Sequence, residues 1–595
     1  MGEPAGVAAE THPRSILERI DYWIGVRPGS VALRTLSDTG ITYAELAQGV
    51  AQVEDALRGA GLRPGNTVAI GIPRSHLLCL TVLAALSCRL PIVPISPQTS
   101  DELLENLGRM LNVRAAVFAG SGADPFDIRI ASPSAAERGA TASEPAPLAG
   151  RFPGQHVDEA IAFIYHTSGS TGQPKGVAVS HESLDARVHE LQSRFPMVPG
   201  DAVPLKCQFT FDVFLWELLG PLVAGATVDV VPPGRESDPR YLASVLEQED
   251  IRAVHFVPTM LDQYLLSVPS ARYPGLRWLC TSGEAMRRQT LRRLDSHFPA
   301  SVEYHNLYGQ TETSEVLGWS GRTCEELFVP LGRPMGAYDV VVVDEEGNAA
   351  PVGATGELWI LADTGISPGY VGTSMRTSPA HQSPESGEFA SRRLYRSGDF
   401  GVRDAAGVIH FRGRRDDQRK CNGIRVDLNS VDEALLQSEG VRDALTDVIT
   451  LPSGSQQLVS WVLGDVDVTD VGRAIAGRLP EHLRPSRIVL VDEWPRTSSG
   501  KRDRASLVSS VIVGAGPTDD EALEWWCMAG ADPAAPNGMT LREAGGTSLG
   551  ALALCRVLAE RSGRTVPPHE CLDATLPRLR EWITGGHASE QCPAQ

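Results

Sequence analysis

The chain has 595 residues, with 54 Lys plus Arg against 73 Asp plus Glu, for a formal net charge of −19. That length calls for several domains with large cores, and a composition 42% hydrophobic and 21% charged excludes a disordered chain. The acidic balance argues against bulk binding to nucleic acid or to anionic membranes. In chain order, residues 41–62 have helical apolar spacing and end near glycine, 67–72 read as a short strand, 76–88 as a buried helix and 115–119 as another strand. This alternation argues for α/β layers. Residues 133–156, rich in Pro, Ala, Gly and Ser, read as an exposed connection, and 160–166 as a buried strand entering a Gly/Ser/Thr loop. Two apolar runs within 339–361 suggest a β-hairpin, and 407–417 a strand leading to a charged turn. A smaller α+β segment then runs to 507, a linker spans 508–519, and 520–585 is helical with a glycine-rich break at 545–550.

The ten cysteines (Cys79, Cys88, Cys207, Cys280, Cys324, Cys421, Cys527, Cys555, Cys571 and Cys592) include no C-x-x-C pair. Reduced thiols in a cytoplasmic protein are expected, rather than a zinc site or a disulfide framework. The N-terminus has no basic-then-apolar leader pattern, and the 76–88 run is too short to cross a bilayer.

The loop Thr167–Gly176, TSGSTGQPKG, follows the 160–166 strand directly. Its glycines permit a tight turn, its hydroxyls and amides can surround phosphate oxygens, and Lys175 adds positive charge. It lacks the spacing of a P-loop, and composition alone allows a flexible surface turn. Further along stand Asn306-Leu307-Tyr308-Gly309-Gln310-Thr311-Glu312, Gly356-Glu357-Leu358, Tyr395-Arg396-Ser397-Gly398-Asp399, Gly413-Arg414-Arg415-Asp416-Asp417-Gln418 and Ser499-Gly500-Lys501-Arg502-Asp503-Arg504. Together these six motifs resemble, in order and spacing, those of the adenylate-forming superfamily: acyl-CoA synthetases, firefly luciferase and the adenylation domains of nonribosomal peptide synthetases.

The resemblance implies a large α/β subdomain over 15–415 and a small α+β subdomain over 416–507. It implies attack of a carboxylate on the α-phosphate of ATP, a reaction that needs phosphate charge neutralised and reactants positioned. Thr167, Ser168, Gly169, Ser170, Thr171, Gly172 and Lys175 would hold phosphates. Tyr308 would stack on adenine and Asn306 bond its edge, with Gly309 beside them and Ser282, Gly283 and Glu284 on the other side. Thr311 would contact phosphate and Glu312 hold Mg²⁺, since a cation bridging phosphates needs few protein oxygens. Asp399 would take the ribose hydroxyls, assisted by Arg414. Lys501 would be the catalytic cation. Asp416 would be the hinge about which the small subdomain turns after adenylation, withdrawing Lys501 and bringing in the Gly423 region; an ordinary turn Asp is the other reading. Gln310 departs from the usual proline, Ser397 from threonine, Ser498-Ser499 from Pro-Asn and Cys421-Asn422 from an apolar-Arg pair, and residues 479–485 also depart from the family pattern.

Phe211-Asp212-Val213-Phe214-Leu215-Trp216-Glu217 resembles the motif of amino-acid adenylation domains. Asp212 would pair with the α-ammonium, because burying that charge without a partner is costly. The family's pocket positions fall on Asp212, Val213, Trp216, His255, Cys280, Ser282, Leu307, Glu315, Val316 and Lys501. The first seven resemble serine-activating domains. The later ones depart, with Glu315 ahead of Val316 where an apolar residue usually precedes Asp. Serine ranks first and 2,3-diaminopropionate second.

Gly545-Gly546-Thr547-Ser548-Leu549 resembles the attachment motif of peptidyl carrier domains, implying an all-α helical bundle over 520–585 with 4′-phosphopantetheine on Ser548. A helix N-cap serine is the plain alternative. The G-x-S-x-G nucleophile-elbow reading of Gly546–Gly550 fails, since only 45 residues follow Gly550. The resemblance also implies partners: a phosphopantetheinyl transferase, a downstream condensation or acceptor enzyme and an MbtH-like activator. The competing classes are an acyl-CoA synthetase with an unrelated tail and an inactive adenylate-binding module. Asp212 and Ser548 count against the first. Lys175, Glu312, Asp399 and Lys501 count against the second.

Overall fold

The structure is a computed structural model. It describes residues 15–120, 127–131, 160–167, 175–268, 271–326, 328–371, 392–414, 418–450, 456–495, 504, 507–508, 511, 521–529, 531, 538–542, 544, 546, 548–562 and 566–584. The connection read at 133–156, the loop residues Ser168–Gly172, Asp416, Lys501 and most of 508–519 lie outside them.

Helix starts follow local chemistry. Ser15 with Glu18 and Thr42 with Glu45 form capping boxes for the helices Ile16–Val26 and Tyr43–Gly59. The second helix therefore starts later than its apolar spacing suggests, because Ile41–Thr42 pair as a short strand with Val31–Arg34. The uniformly apolar helix His76–Ser87 is buried throughout Leu78–Leu86. It packs against a seven-stranded sheet whose central strand, Ile92–Pro94, pairs in parallel with Thr67–Ile70, which in turn pairs in parallel with Val113–Ala119. Ile161–Thr167 extends that sheet and pairs antiparallel with Lys175–Ser180.

A second sheet carries Ala253–Phe256, Trp278–Thr281 and Glu303–Gln310 in parallel, followed by antiparallel Ser314–Ser320. The expected hairpin forms between Asp339–Val343 and Thr355–Ala362, and the latter pairs with Arg393–Arg403, which pairs with Ile409–Arg414. These sheets and their helices make the large unit.

The small unit holds the hairpin Gln418–Cys421/Ile424–Asp427, the helices Leu428–Leu436 and Val468–Ala476, and a three-stranded sheet around Gln456–Gly464. Its hairpin turns through Asn422 at φ 51° and Gly423 at φ 83°, the tight turn that Asn-Gly favours. This explains Asn422 where the family carries a longer cation. Asn422 also donates from Nδ2 to the Gln456 carbonyl at 2.9 Å. Leu507 and Val511 pack into the core beside Trp461, so that core reaches beyond residue 507.

A last group of helices, Glu521–Met528, Ser548–Ser562, Pro568–Leu572 and Leu576–Thr584, buries Trp525, Trp526, Leu554, Leu558 and Trp582 in a core of its own. Ser548 opens its helix. Gly550 lets two of these helices touch, because a Cβ there would stand 2.0 Å from the Ala529 carbonyl. Gly550→Ala should therefore destabilise this group by about 1–3 kcal/mol. Hydrogen exchange on the full chain should show faster exchange over 548–562 and unchanged protection over 76–87.

Candidate active site

Eight of the residues singled out from the sequence meet in one cavity of about 580 Å³: Gly283, Glu284, Asn306, Leu307, Tyr308, Gly309, Asp399 and Arg414. The strand Glu303–Gln310 supplies one side and the strand pair 393–403/409–414 the other. Asp399 is 3% exposed and sits opposite Arg414 across the ladder. It accepts from Tyr308 Oη at 2.6 Å, Gln310 Nε2 at 2.7 Å and Arg414 Nη1 at 2.5 Å. Gln310, a departure from the usual proline, thus becomes a donor to this carboxylate, and its own Oε1 accepts from Tyr395 at 2.9 Å. Ser397 anchors the same turn by donating to the Leu358 carbonyl at 2.7 Å.

Asn306 is held by donating to the Pro330 carbonyl at 2.9 Å and accepting from Thr281. Burial drives the Tyr308 phenol far above its ordinary range, as does the neighbouring Asp399 charge. Burial also raises Glu284, while Thr259, donating from backbone and hydroxyl, draws it back. Gly309 admits no side chain, since a Cβ would meet the Ser314 carbonyl at 1.8 Å.

Glu312 is buried and accepts from Tyr370 at 2.8 Å, and half-buried Thr311 precedes it. The backbone of Thr167 and Lys175 is described, and their side chains lie outside the description. Among the described residues no group of three or more His, Cys, Asp or Glu could hold a metal ion.

The pocket positions adjoin this cleft. Asp212 stands at the N-cap of the helix Val213–Val223 yet makes no capping hydrogen bond, and its half-buried carboxylate lies at the positive helix end. Burial first, then Glu315, pushes it up to about 6, against Arg187. Glu217, from the same motif, plays a structural part: it is buried and accepts from the amides of Lys206 and Cys207 at 2.8 and 2.7 Å. Trp216 is buried edge-on to His255, and His255 Nε2 lies 2.8 Å from Ser282 Oγ. Burial holds that imidazole well below its usual range, so it is neutral. Cys280, Leu307 and Val316 are buried apolar lining, Val213 is half-buried, and Glu315 accepts from Ser314 at 2.6 Å.

The small unit closes over the cleft. Gly423 packs so tightly that a Cβ would lie 2.5 Å from Val257, and Gly283 lies opposite its carbonyl. His482 stacks on His166 and meets Phe211 edge-on. Ser100 donates to the Ala476 carbonyl at 3.2 Å. The helix opened by Ser548 packs on Pro258–Ser267, whose first residues line the cavity. Arg187, Gln310, Tyr370 and Tyr395 are the residues that sequence reasoning did not assign a role. Gln310 stood out only as a departure, and Arg187 carried no signal.

The family of AMP-binding enzymes matches residues 20–371. Phosphinothricin tripeptide synthetase PhsB of Streptomyces viridochromogenes is 34% identical over 500 residues, 81% of this chain and 41% of that protein. Zwittermicin A synthase ZmaJ of Bacillus cereus is 29% identical over 504 residues, 81% of this chain and 92% of that protein. The chain thus spans less than half of the first relative. Among solved structures, holo-PA1221, a protein containing adenylation and PCP domains, shares the fold with a TM-score of 0.77 at 24% identity over 97% of both chains. The chain belongs to the AMP-binding enzyme family. Its fold has a large N-terminal and a small C-terminal subdomain.

Two outcomes are expected. Gln310→Leu removes a hydrogen bond to a charged acceptor, worth roughly 1.5–3 kcal/mol, and should raise the KM for ATP about tenfold or more while the amino-acid KM stays near wild type. Asp212 loses its charge as pH falls through about 6, so amino-acid affinity should weaken below that pH and plateau above it. A kcat/KM profile in amino acid checks this.

Proposed function

We propose that this chain activates a small polar amino acid, serine first and 2,3-diaminopropionate second, as its adenylate and passes it to a thiol on its own C-terminal helical unit. The observation that carries the reading is the placing of Asp212, which caps no helix amide, on the helix whose Trp216 meets the neutral His255–Ser282 pair. A carboxylate suits the α-ammonium. A buried imidazole–hydroxyl pair suits a side-chain hydroxyl and leaves little room for a larger group. ATP would lie along the cleft, with Tyr308 and Asn306 at adenine, Asp399 and Arg414 at ribose, and the 167–175 loop, Thr311 and Glu312 at phosphate. Glu312 would hold Mg²⁺, which supplies charge neutralisation. Lys501, outside the described residues, would stabilise charge at the reacting carboxylate.

Residues 520–585 are read as a carrier domain, with 4′-phosphopantetheine on Ser548 supplying the thiol, and Asp416 as the hinge. The approach of Gly423 to Gly283 and Val257, and of the Ser548 helix to Pro258–Ser267, supports a thioester-forming arrangement of the two units. A phosphopantetheinyl transferase and a downstream condensation or acceptor enzyme would be the partners, with an MbtH-like protein as a further candidate. The cysteine pattern and acidic charge support a cytoplasmic setting. Among the described residues no helix is long and apolar enough to cross a membrane.

The test is ATP–pyrophosphate exchange across the proteinogenic amino acids and 2,3-diaminopropionate, followed by intact-mass loading of the phosphopantetheinylated chain. Serine-dependent exchange is expected. Ser548→Ala should keep exchange and abolish loading, and Lys501→Ala should abolish exchange. Exchange confined to large apolar amino acids would refute the pocket reading, and loading that survives Ser548→Ala would refute the carrier reading.

A further inference from the structure

Six of the eight described cysteines are spread through the large and small units, and the other two, Cys555 and Cys571, share the C-terminal helical unit. Cys555 lies midway along the helix Ser548–Ser562, and Cys571 near the end of Pro568–Leu572. The two helices pack on each other, and the two sulfurs stand 3.2 Å apart. Cys571 is fully buried in the core with Trp525, Trp526 and Leu558, and Cys555 is half-buried at its edge. Both are unbonded thiols in this structure.

A buried cysteine alone is an inert apolar filler. That accounts for Cys571 but not for a second sulfur in contact with it and open on one side to solvent. Thiol–disulfide exchange needs an accessible thiol to start and a second sulfur within reach to finish. Cys555 has the access and Cys571 has the position. The contact with Cys555, and then burial, raises the Cys571 thiol far above its ordinary range, so the first attack falls to Cys555.

We propose that Cys555 and Cys571 form a redox-sensitive dithiol that closes to a disulfide on meeting a small-molecule disulfide such as oxidised glutathione, and that the bond locks the helical unit. The Cys555 thiolate attacks one glutathione sulfur, breaks its S–S bond and expels one glutathione thiolate. Cys555 is then a mixed disulfide and no longer opposes ionisation of its neighbour. Cys571 attacks the Cys555 sulfur and expels the second glutathione. Two protein thiols lose two electrons, one glutathione disulfide becomes two thiols, and the two cysteine protons pass to them. The new bond would join the helix opened by Ser548 to a short helix whose end already holds the segment before that serine. There the amides of Leu541 and Arg542 donate to the Ala574 and Leu572 carbonyls at 2.7 and 2.9 Å, and Arg542 Nε lies 3.6 Å from Asp573. Both flanks of the 545–550 break would then belong to one cross-linked frame, whatever Ser548 carries.

The experiment uses the full chain, reduced and then equilibrated with oxidised and reduced glutathione, as wild type, Cys555→Ser and Cys571→Ser. Peptide mapping of wild type should give a linked Cys555–Cys571 pair, about 2 Da lighter than the two thiol peptides and restored by dithiothreitol. Cys571→Ser should stop with glutathione on Cys555, about 305 Da heavier, and Cys555→Ser should leave Cys571 unmodified. Cys571→Ala repeats the first of these arms with an apolar side chain, should serine disturb the core. A cross-link removes open states of the loop it closes, so amide exchange over 548–562 should slow by about tenfold or more in the oxidised wild type. Exchange over 76–87 should not change. Glutathione that stays on Cys555 of the wild type, a link that forms only in denaturant, or a link that leaves exchange over 548–562 unchanged would overturn the proposal.

Discussion

Asp399 is the group on which the cleft depends. A carboxylate this buried is costly unless donors surround it. The structure brings them from strands of two different sheets: Tyr308 and Gln310 from one, Arg414 from the other. Satisfying that charge ties the parallel sheet of 253–310 to the antiparallel sheet of 339–414 and sets the distance between the cleft walls. The carboxylate that would take ribose hydroxyls is also the peg that holds the site open.

A related economy governs the approach of the small unit. Gly283 and Gly423 both have positive φ, at 88° and 83°, and neither carries the side chain that would hold the two backbones apart. The Asn-Gly turn that closes the hairpin is therefore also the surface that enters the cleft. The Gly423 contact, the His482–His166 stack and the bond from Ser100 to the end of the helix Val468–Ala476 draw on three separate segments of the small unit. Its placement rests on no single bond.

The amino-acid side of the cleft is polar at its charged end and dry elsewhere. Trp216, Cys280, Leu307 and Val316 exclude water, which strengthens each charge that remains.

The sequence by itself determined the α/β class, the order of the motifs and most elements near the site, because these depend on local periodicity, capping residues and glycines at fixed spacing. The strand before the phosphate loop, the 339–361 hairpin and the break before Ser548 were all legible that way. The motif residues Asn306, Tyr308, Asp399 and Arg414 were legible as a set, but their mutual bonds were not. Gln310 looked like a weakened motif and is a donor to Asp399. Glu217 looked like part of a substrate motif and holds two backbone amides. These roles arise from pairings between residues far apart in the chain, where burial decides which charges must be answered, and only the tertiary structure brings those partners together.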